Sequence, residues 1–155
     1  MSEDSPRTDL SPEEQRALAT VLDEIIPPSG DGRLPGAGEL GVARYIEEKA
    51  GALRPLIVRC LATLDEHASQ RGADDFASLS RENRLALLEE MATSEPIFFQ
   101  SVVFLAYAGY YQSGRVVAAL GVPARPPYPE GYEVEPGDLS LLDAVRSRPK
   151  LYREA

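Results

Sequence analysis

The sequence is poor in the residues that build redox, zinc and catalytic centres. It has one cysteine (Cys60), one histidine (His67) and no tryptophan. A single cysteine cannot form an internal disulfide, and a zinc site with four cysteine or histidine ligands needs more of them than are present. A Ser-His-Asp or Cys-His centre would have to use His67, and its sequence neighbours Asp65 and Glu66 do not face it on a helix. We therefore expect a core thiol, a surface imidazole, no metal site and no catalytic residues.

Basic residues are also scarce. Sixteen lysines and arginines against 25 aspartates and glutamates give a formal net charge of −9. Nucleic acids and anionic membrane surfaces are bound by basic faces, so we expect neither as a partner. Residues 1–9 are acidic and polar, and we expect them to be disordered. Because no basic segment, apolar run or twin arginine begins the sequence, we expect no export signal and a cytoplasmic protein.

No hydrophobic run is suited to a membrane span. The longest uncharged stretch, residues 96–114, includes Pro96 and four glutamines or serines, whereas a span needs about 20 predominantly apolar residues. Six of the eleven aromatic residues lie between Phe98 and Tyr111. Two interpretations stay open: this helix forms only the core, or it forms the core and also presents aromatic side chains to a partner.

Capping signals and apolar periodicity predict an all-α chain, a compact bundle of about five helices, because no segment alternates with the period of a strand. Ser11, Pro12 and Glu14 form a capping box with proline in the first turn, and Pro27-Pro28 ends this first helix. The aromatic stretch is the fifth helix, with Pro96 at its start. The apolar positions expected to face inward in helices one to four are Leu18, Leu22, Ile25, Ile26; Leu40, Ala43, Ile46; Leu56 or Ile57, Cys60, Leu61, Leu64; Leu85, Leu88, Met91.

The last third of the sequence differs in composition. Residues 121–137 contain five of the thirteen prolines, which favours an extended chain over a regular helix. A short helix follows, capped by Asp138, with Leu142 and Val145 on one face. We therefore divide the sequence into an acidic terminus (1–9), a helical domain (10–121) and a proline-rich arm with a short terminal helix (122–155).

A dinucleotide motif is present in form only. The segment "GAGELG", residues 36–41, matches G-x-G-x-x-G. A Rossmann site needs a hydrophobic strand before this motif and an acidic residue about 20 residues after it. A glycine- and proline-rich loop precedes it here, and residues 50–64 contain no acid. We expect these glycines to permit a tight loop and close helix packing instead.

Several segments in a fixed order resemble a known family. They are "LSPEEQRALATVLDEIIPP", "PGAGELGVARYIEE", "LSRENRLALLEEM", the paired Phe98-Phe99 opening an apolar helix, and "GYYQSGRVVAALGVP". Together, over residues 10–132, the chain resembles the small, third subunit of gluconate 2-dehydrogenase and its relatives. The resemblance implies a non-catalytic partner of a large flavoprotein of the glucose-methanol-choline type, which holds FAD and oxidises a sugar, sugar acid or related alcohol. Many such small subunits carry a twin-arginine signal, which this sequence does not show.

The resemblance and the excess of aromatic residues together predict an interface with this flavoprotein. No cofactor is expected in the chain itself, and FAD is expected in the partner. Two rival functions are a stand-alone ligand-binding protein with a pocket lined by tyrosines 107, 110 and 111, and a structural protein that self-associates through residues 98–111. The predicted interface consists of Phe98, Phe99, Tyr107, Tyr110, Tyr111, Tyr128 and Tyr132.

Overall fold

The computed structural model describes residues 10–122 and 137–149, and both ranges contain helices and 3₁₀ turns without a strand. The all-α prediction is therefore confirmed for these residues. The chain divides into two units, residues 1–124 and 125–155, which are described separately below. The first unit contains α1 (Pro12–Ile25), α2 (Val42–Lys49), α3 (Arg54–Gln70), α4 (Arg81–Ser94), α5 (Pro96–Tyr111) and α6 (Gly114–Ala119), and the second contains α7 (Asp143–Arg146).

Helix α1 begins at the predicted capping box. The Ser11 hydroxyl accepts a hydrogen bond from the Glu14 amide at 3.2 Å, and the Glu14 carboxylate accepts one from the Ser11 amide at 2.7 Å. These two bonds satisfy amides that the first helical turn leaves without partners. Leu18 and Leu22 are fully buried as predicted, whereas Ile25 and Ile26 are half-buried at the end of the helix.

Helix α5 packs most extensively on α2, and a glycine permits their close approach. A Cβ atom on Gly109 would lie 2.8 Å from Cδ1 of Tyr45 and 2.9 Å from Cγ1 of Val42, distances that real Cβ contacts do not reach. On the α2 side, Val42 and Ile46 are buried, and Leu40 and Ala43 pack against the core in part.

Helix α3 buries the predicted stripe, in which Ile57 rather than Leu56 faces fully inward. Cys60 belongs to this stripe and is 1% exposed. Its burial, followed by the charge of Glu95, raises the pKa of the thiol above its ordinary value. The predicted core thiol is confirmed, and a thiol that resists ionisation is a poor nucleophile.

Helix α4 corrects one predicted core position. Leu88 and Met91 are buried, but Leu85 is exposed and Leu87 occupies the core in its place. With about 100° of rotation per residue, Leu85 lies roughly 115° from the centre of the face formed by positions 87, 88 and 91. Residues 85–88, "LALL", are all apolar, so the sequence does not indicate whether Leu85 or Leu87 faces the core.

A sixth helix follows the aromatic one within the first unit. Gln112 and Ser113 interrupt the helical path after α5, and α6 then buries Val116. In the second unit, the Asp138 carboxylate accepts a hydrogen bond from the Ser140 amide at 3.0 Å. Asp138 is therefore a cap as predicted, but it caps a 3₁₀ turn, Leu139–Leu142, and the short helix α7 follows with Leu142 as its N-cap. The predicted extended arm falls largely within residues 123–136, outside the described part of the chain.

Candidate partner-binding surface

Helix α5 is apolar except at Gln100 and Ser101, and its large side chains are divided between two opposite faces. The buried face points into the core of the first unit and consists of Phe98, Val102, Leu105, Ala106 and Tyr110. The opposite face presents large apolar side chains to solvent. We call these four residues the apolar row: Ile97, Phe104, Tyr107 and Tyr111.

The apolar row lies along one side of the helix, with the exposed Gln100 between Ile97 and Phe104. Its members are separated by seven, three and four residues, which places them on one side of an α-helix. Phe104 is 72% exposed and Ile97 is 66% exposed. The rings of Tyr107 and Tyr111 stack, with centroids 6.0 Å apart and planes 12° apart. Large aromatic side chains exposed in one line are typical of surfaces that other proteins cover.

The buried face of α5 is fixed by a hydrogen bond as well as by packing. The Tyr110 hydroxyl donates to the carbonyl oxygen of Pro35 at 2.9 Å, in a side chain that is 2% exposed. Burial, and next the neighbouring Tyr111, raise the pKa of Tyr110. The edge of one ring of this pair meets the face of the other, with centroids 5.2 Å apart, so that the buried tyrosine supports the exposed one.

A groove lies beside the apolar row, and we call it the α4–α5 groove. Its volume is about 400 Å³. Tyr107 belongs to both the row and the groove. Side chains of α1, α4 and α5 line the groove: Ile25, Leu85, Leu88, Phe99, Val103 and Tyr107 are apolar or aromatic, and Glu24 and Glu89 are acidic.

The two carboxylates of the groove differ in how they are bound. The Glu24 side chain is 5% exposed and lies 2.7 Å from Nη2 of Arg84 and 3.1 Å from Nε of Arg81. Arg84 also donates to the carbonyl oxygen of Leu79 at 2.7 Å. Because two guanidinium groups hold Glu24, it joins α1 to α4 and has little capacity for further ligands. Glu89 is exposed and leaves its carboxylate at the rim of the groove.

The glycine motif at residues 36–41 binds a carboxylate of the chain itself. Oδ1 of Asp23 accepts a hydrogen bond from the Gly38 amide at 2.8 Å. A Cβ atom on Gly38 would overlap the carbonyl oxygen of Ala19 and lie 2.6 Å from Oδ2 of Asp23. The predicted close packing of this loop against a helix is therefore confirmed. The Gly38 amide donates to Asp23, whereas a dinucleotide-binding motif would present its amides to a phosphate.

Two chemical properties of the described residues are relevant to function. Residues 10–122 and 137–149 contain no group of three histidines, cysteines, aspartates or glutamates placed to hold a metal ion. In the same ranges, no helix combines the length and the apolar composition that crossing a bilayer requires.

The comparison with protein families decides the relationship of the chain. A family model described as gluconate 2-dehydrogenase subunit 3 matches residues 12–120. The chain belongs to the gluconate 2-dehydrogenase subunit 3 family. No curated protein and no solved structure matches the chain. The resemblance stated from the sequence is thus confirmed, and the family name denotes a subunit of a dehydrogenase complex.

The family match contains the entire surface described above. It extends from the first residue of α1 to one residue beyond α6. The apolar row, the α4–α5 groove and the contact between Asp23 and the glycine loop all lie inside it. These features therefore belong to the part of the chain that defines membership of the gluconate 2-dehydrogenase subunit 3 family.

The residues of the predicted interface differ in how far the chain itself buries them. Phe98 and Tyr110 are 0% and 2% exposed. In the isolated chain these two side chains belong to the core and support the surface from within, and their predicted contact with a partner stays a prediction. Their paired neighbours, Phe99 and Tyr111, lie in the groove and in the apolar row.

The rest of the predicted interface remains a prediction. Phe99 is half-buried, and Tyr107 and Tyr111 are exposed. Tyr128 and Tyr132 lie outside the described residues. Of the three tyrosines 107, 110 and 111, from which a ligand pocket was expected, Tyr107 lines the α4–α5 groove.

Sequence reasoning missed two exposed members of the apolar row, Ile97 and Phe104. The signal was available: counting back three and then seven residues from Tyr107 along a helix reaches both positions. Adjacent pairs such as Phe98-Phe99 and Tyr110-Tyr111 do not share one exposed face, because adjacent helical residues point in directions about 100° apart.

Proposed function

We propose that this member of the gluconate 2-dehydrogenase subunit 3 family is a non-catalytic accessory subunit. It binds and stabilises a large FAD-dependent oxidoreductase subunit that oxidises a sugar, a sugar acid or a related alcohol. The observation that carries this proposal is the apolar row on α5, which exposes four large apolar side chains in a single line. FAD belongs to the large subunit in this proposal, and the small subunit covers apolar surface on it.

The size of the row supports a stable association. Fully burying one large apolar side chain contributes about 1.5–3 kcal/mol. Four side chains that are between about half and three-quarters exposed would therefore contribute several kcal/mol when covered, before the cost of association is subtracted. Aromatic residues are also enriched at the energetic centres of protein interfaces.

The chemistry of the groove and the glycine loop supports the non-catalytic part of the proposal. A general base or a nucleophile needs a side chain free to reach the substrate. Glu24 is held by two arginines, and Asp23 is held by the glycine loop. Cys60 is buried with a raised pKa. The acidic and thiol groups best positioned by the fold are thus already used to hold it together.

Co-expression tests the proposal. This chain carries an affinity tag and is produced together with a candidate large FAD-dependent oxidoreductase subunit from the same genome. We expect the two to co-purify, with the absorbance of bound flavin in the eluate. A flavoprotein that is equally soluble and active when this chain is absent would contradict the accessory role.

A variant pair locates the contact within the same experiment. Phe104→Ser combined with Tyr111→Ser removes two members of the apolar row and should abolish co-purification. The control is Leu120→Ser with Val122→Ser, which removes two exposed apolar side chains, 49% and 51% exposed, outside the row. Circular dichroism of each variant verifies that it is folded.

A second candidate function is small-ligand binding in the α4–α5 groove, because its volume lies within the range of small-molecule sites. Calorimetric titration of the isolated chain with sugars and sugar acids tests this candidate. Heat of binding that Val103→Trp abolishes would favour it. The alternative of self-association predicts a dimer by light scattering that the Phe104 and Tyr111 double variant converts to a monomer. The cytoplasmic location stays a prediction.

A further inference from the structure

We propose that the α4–α5 groove receives an apolar helix of the oxidoreductase subunit, and that this helix carries lysine or arginine beside its apolar face. This inference rests on the proposed function and specifies the partner segment that the surface fits. Three observations lead to it: the length of the apolar surface, its position beside a groove, and the charge at the rim.

The length of the apolar surface favours a helix as its occupant. The row extends from residue 97 to residue 111, which is about 21 Å at 1.5 Å per residue. The groove lies against its middle and shares Tyr107 with it. A ligand of sugar size would fill the groove and leave Ile97, Phe104 and Tyr111 in water. A helix of three to four turns covers both at once, as in other grooves that bind amphipathic helices.

The charge of the groove specifies the flanks of that helix. Within the described residues, no lysine or arginine lines the groove, and its one open charge is Glu89. Glu82 is exposed two turns earlier on the same face of α4, since positions 82, 85 and 89 are spaced by three and four residues. The two carboxylates are about 10 Å apart along the helix axis. A partner helix with cations two turns apart matches this rim.

The rim carboxylates also differ from their neighbour on α4. Glu90 forms an ion pair with Arg71 at 2.9 Å on another side of the helix. Among residues 10–122 and 137–149, neither Glu82 nor Glu89 lies within ion-pair distance of a basic group. Charges without such a contact are the ones able to steer an approaching partner.

The same charges disfavour a second copy of this chain as the occupant. Two copies packed through this surface would bring two acidic rims together, in a protein with a formal net charge of −9. Like charges placed across an interface oppose association. An apolar helix with basic flanks is complementary to both the groove and its rim.

Site-specific photo-crosslinking in the co-expressed complex tests the inference. A benzophenone amino acid replaces Leu85, at the rim of the groove, and in a control it replaces Ala62, which is exposed on α3. We expect the probe at position 85 to attach to the oxidoreductase subunit, in a helical peptide with lysine or arginine within two turns. We expect the probe at position 62 to give no such product.

The outcomes separate this inference from the proposed function. A complex that forms without a crosslink from position 85 overturns the inference and leaves the accessory role standing. So does a crosslink from position 85 to a second copy of this chain, or to a segment without basic residues. Failure of the two proteins to associate at all overturns the proposed function and this inference together.

A matched pair of charge reversals tests the rim. Glu89→Lys reverses a charge beside the groove, and Glu66→Lys makes the same change at an exposed position of α3. We expect the first to weaken binding of the oxidoreductase subunit about five- to tenfold at low salt, with the difference shrinking at high salt. We expect the second to leave binding unchanged. Equal effects of the two changes, or tighter binding by Glu89→Lys, would overturn the inference.

Discussion

Two phenylalanines of α5 should respond to truncation in opposite ways. Phe98 is 0% exposed and Phe104 is 72% exposed on the same helix. Replacing a buried phenylalanine by alanine removes its transfer free energy and leaves a cavity, and together these cost about 3–5 kcal/mol of unfolding free energy. Phe104 buries only 28% of its side chain in the isolated subunit. The corresponding share of a transfer term of about 1.5–3 kcal/mol is about 0.4–0.8 kcal/mol.

The effect on binding should be reversed. If the partner covers the 72% of Phe104 that is exposed, the truncation removes about 1–2 kcal/mol from the association. That corresponds to a loss of roughly 5- to 30-fold in affinity. Phe98→Ala leaves the exposed surface as it is, so its folded fraction should bind the oxidoreductase subunit with unchanged affinity.

Two measurements on each variant verify this. Urea denaturation of the isolated subunit, followed by circular dichroism, gives the change in unfolding free energy. Titration of the labelled subunit with the oxidoreductase subunit gives the change in Kd. The reasoning is refuted if Phe104→Ala destabilises the subunit as much as Phe98→Ala does, or if it leaves the Kd unchanged.

Three further changes have defined expected outcomes. Gly38→Ala should lower the unfolding free energy by about 1–3 kcal/mol because its Cβ has no space, and Gly30→Ala, with open space around it, should have almost no effect in the same urea denaturation. Hydrogen bonds from Ser78 lower the pKa of Asp75 in the folded protein. The ionised carboxylate therefore contributes fully to the unfolding free energy above the ordinary pKa of about 4, and this contribution is lost as the pH falls through the lower pKa of the folded state. Asp75→Ala, which removes the oxygen that accepts from the Ser78 amide, should therefore cost about 1 kcal/mol at pH 7 and less at pH 2, and an equal loss at both pH values would contradict this. Cys60 should react with a thiol reagent at the rate of unfolding, which added urea accelerates, and rapid labelling of the native protein would exclude a buried thiol.

The helix boundaries were predictable where single residues determine them. Ser11, Pro12 and Glu14 define the start of α1 by local hydrogen bonds, and the structure contains those bonds. Ser80 likewise caps the helix predicted for it, and Asp138 caps the 3₁₀ turn that precedes α7. Local chemistry of this kind depends on residues close in sequence, so the sequence alone contains the information.

The buried face of an apolar helix was less predictable. When apolar residues lie on both sides of a helix, their spacing does not indicate which side is buried. In α5 the buried side is selected by tertiary contacts. Gly109 lets α2 approach on one side, and the Pro35 carbonyl accepts the Tyr110 hydroxyl. Neither contact is visible in the spacing of residues 96–111. The same absence of polar markers placed Leu85 in the predicted core instead of Leu87.

The α4–α5 groove could not have been predicted, because three helices form it. Glu24 and Phe99 are 75 residues apart in the sequence and line the same groove. Their proximity depends on how α1, α4 and α5 pack. The sequence did indicate that the aromatic stretch contained more large side chains than a core requires, and the apolar row contains four of them.

The contact between Asp23 and the glycine loop makes these positions dependent on one another across homologues. A Cβ atom on Gly36 would overlap Oδ1 of Asp23 and lie 3.1 Å from its Cγ. The requirement for glycine at position 36 therefore arises in large part from the carboxylate at position 23. In relatives that have lost this carboxylate, position 36 should accept alanine or serine, so substitutions at the two positions should covary. A relative that combines aspartate at the first position with a bulky residue at the second would need a different path for the loop.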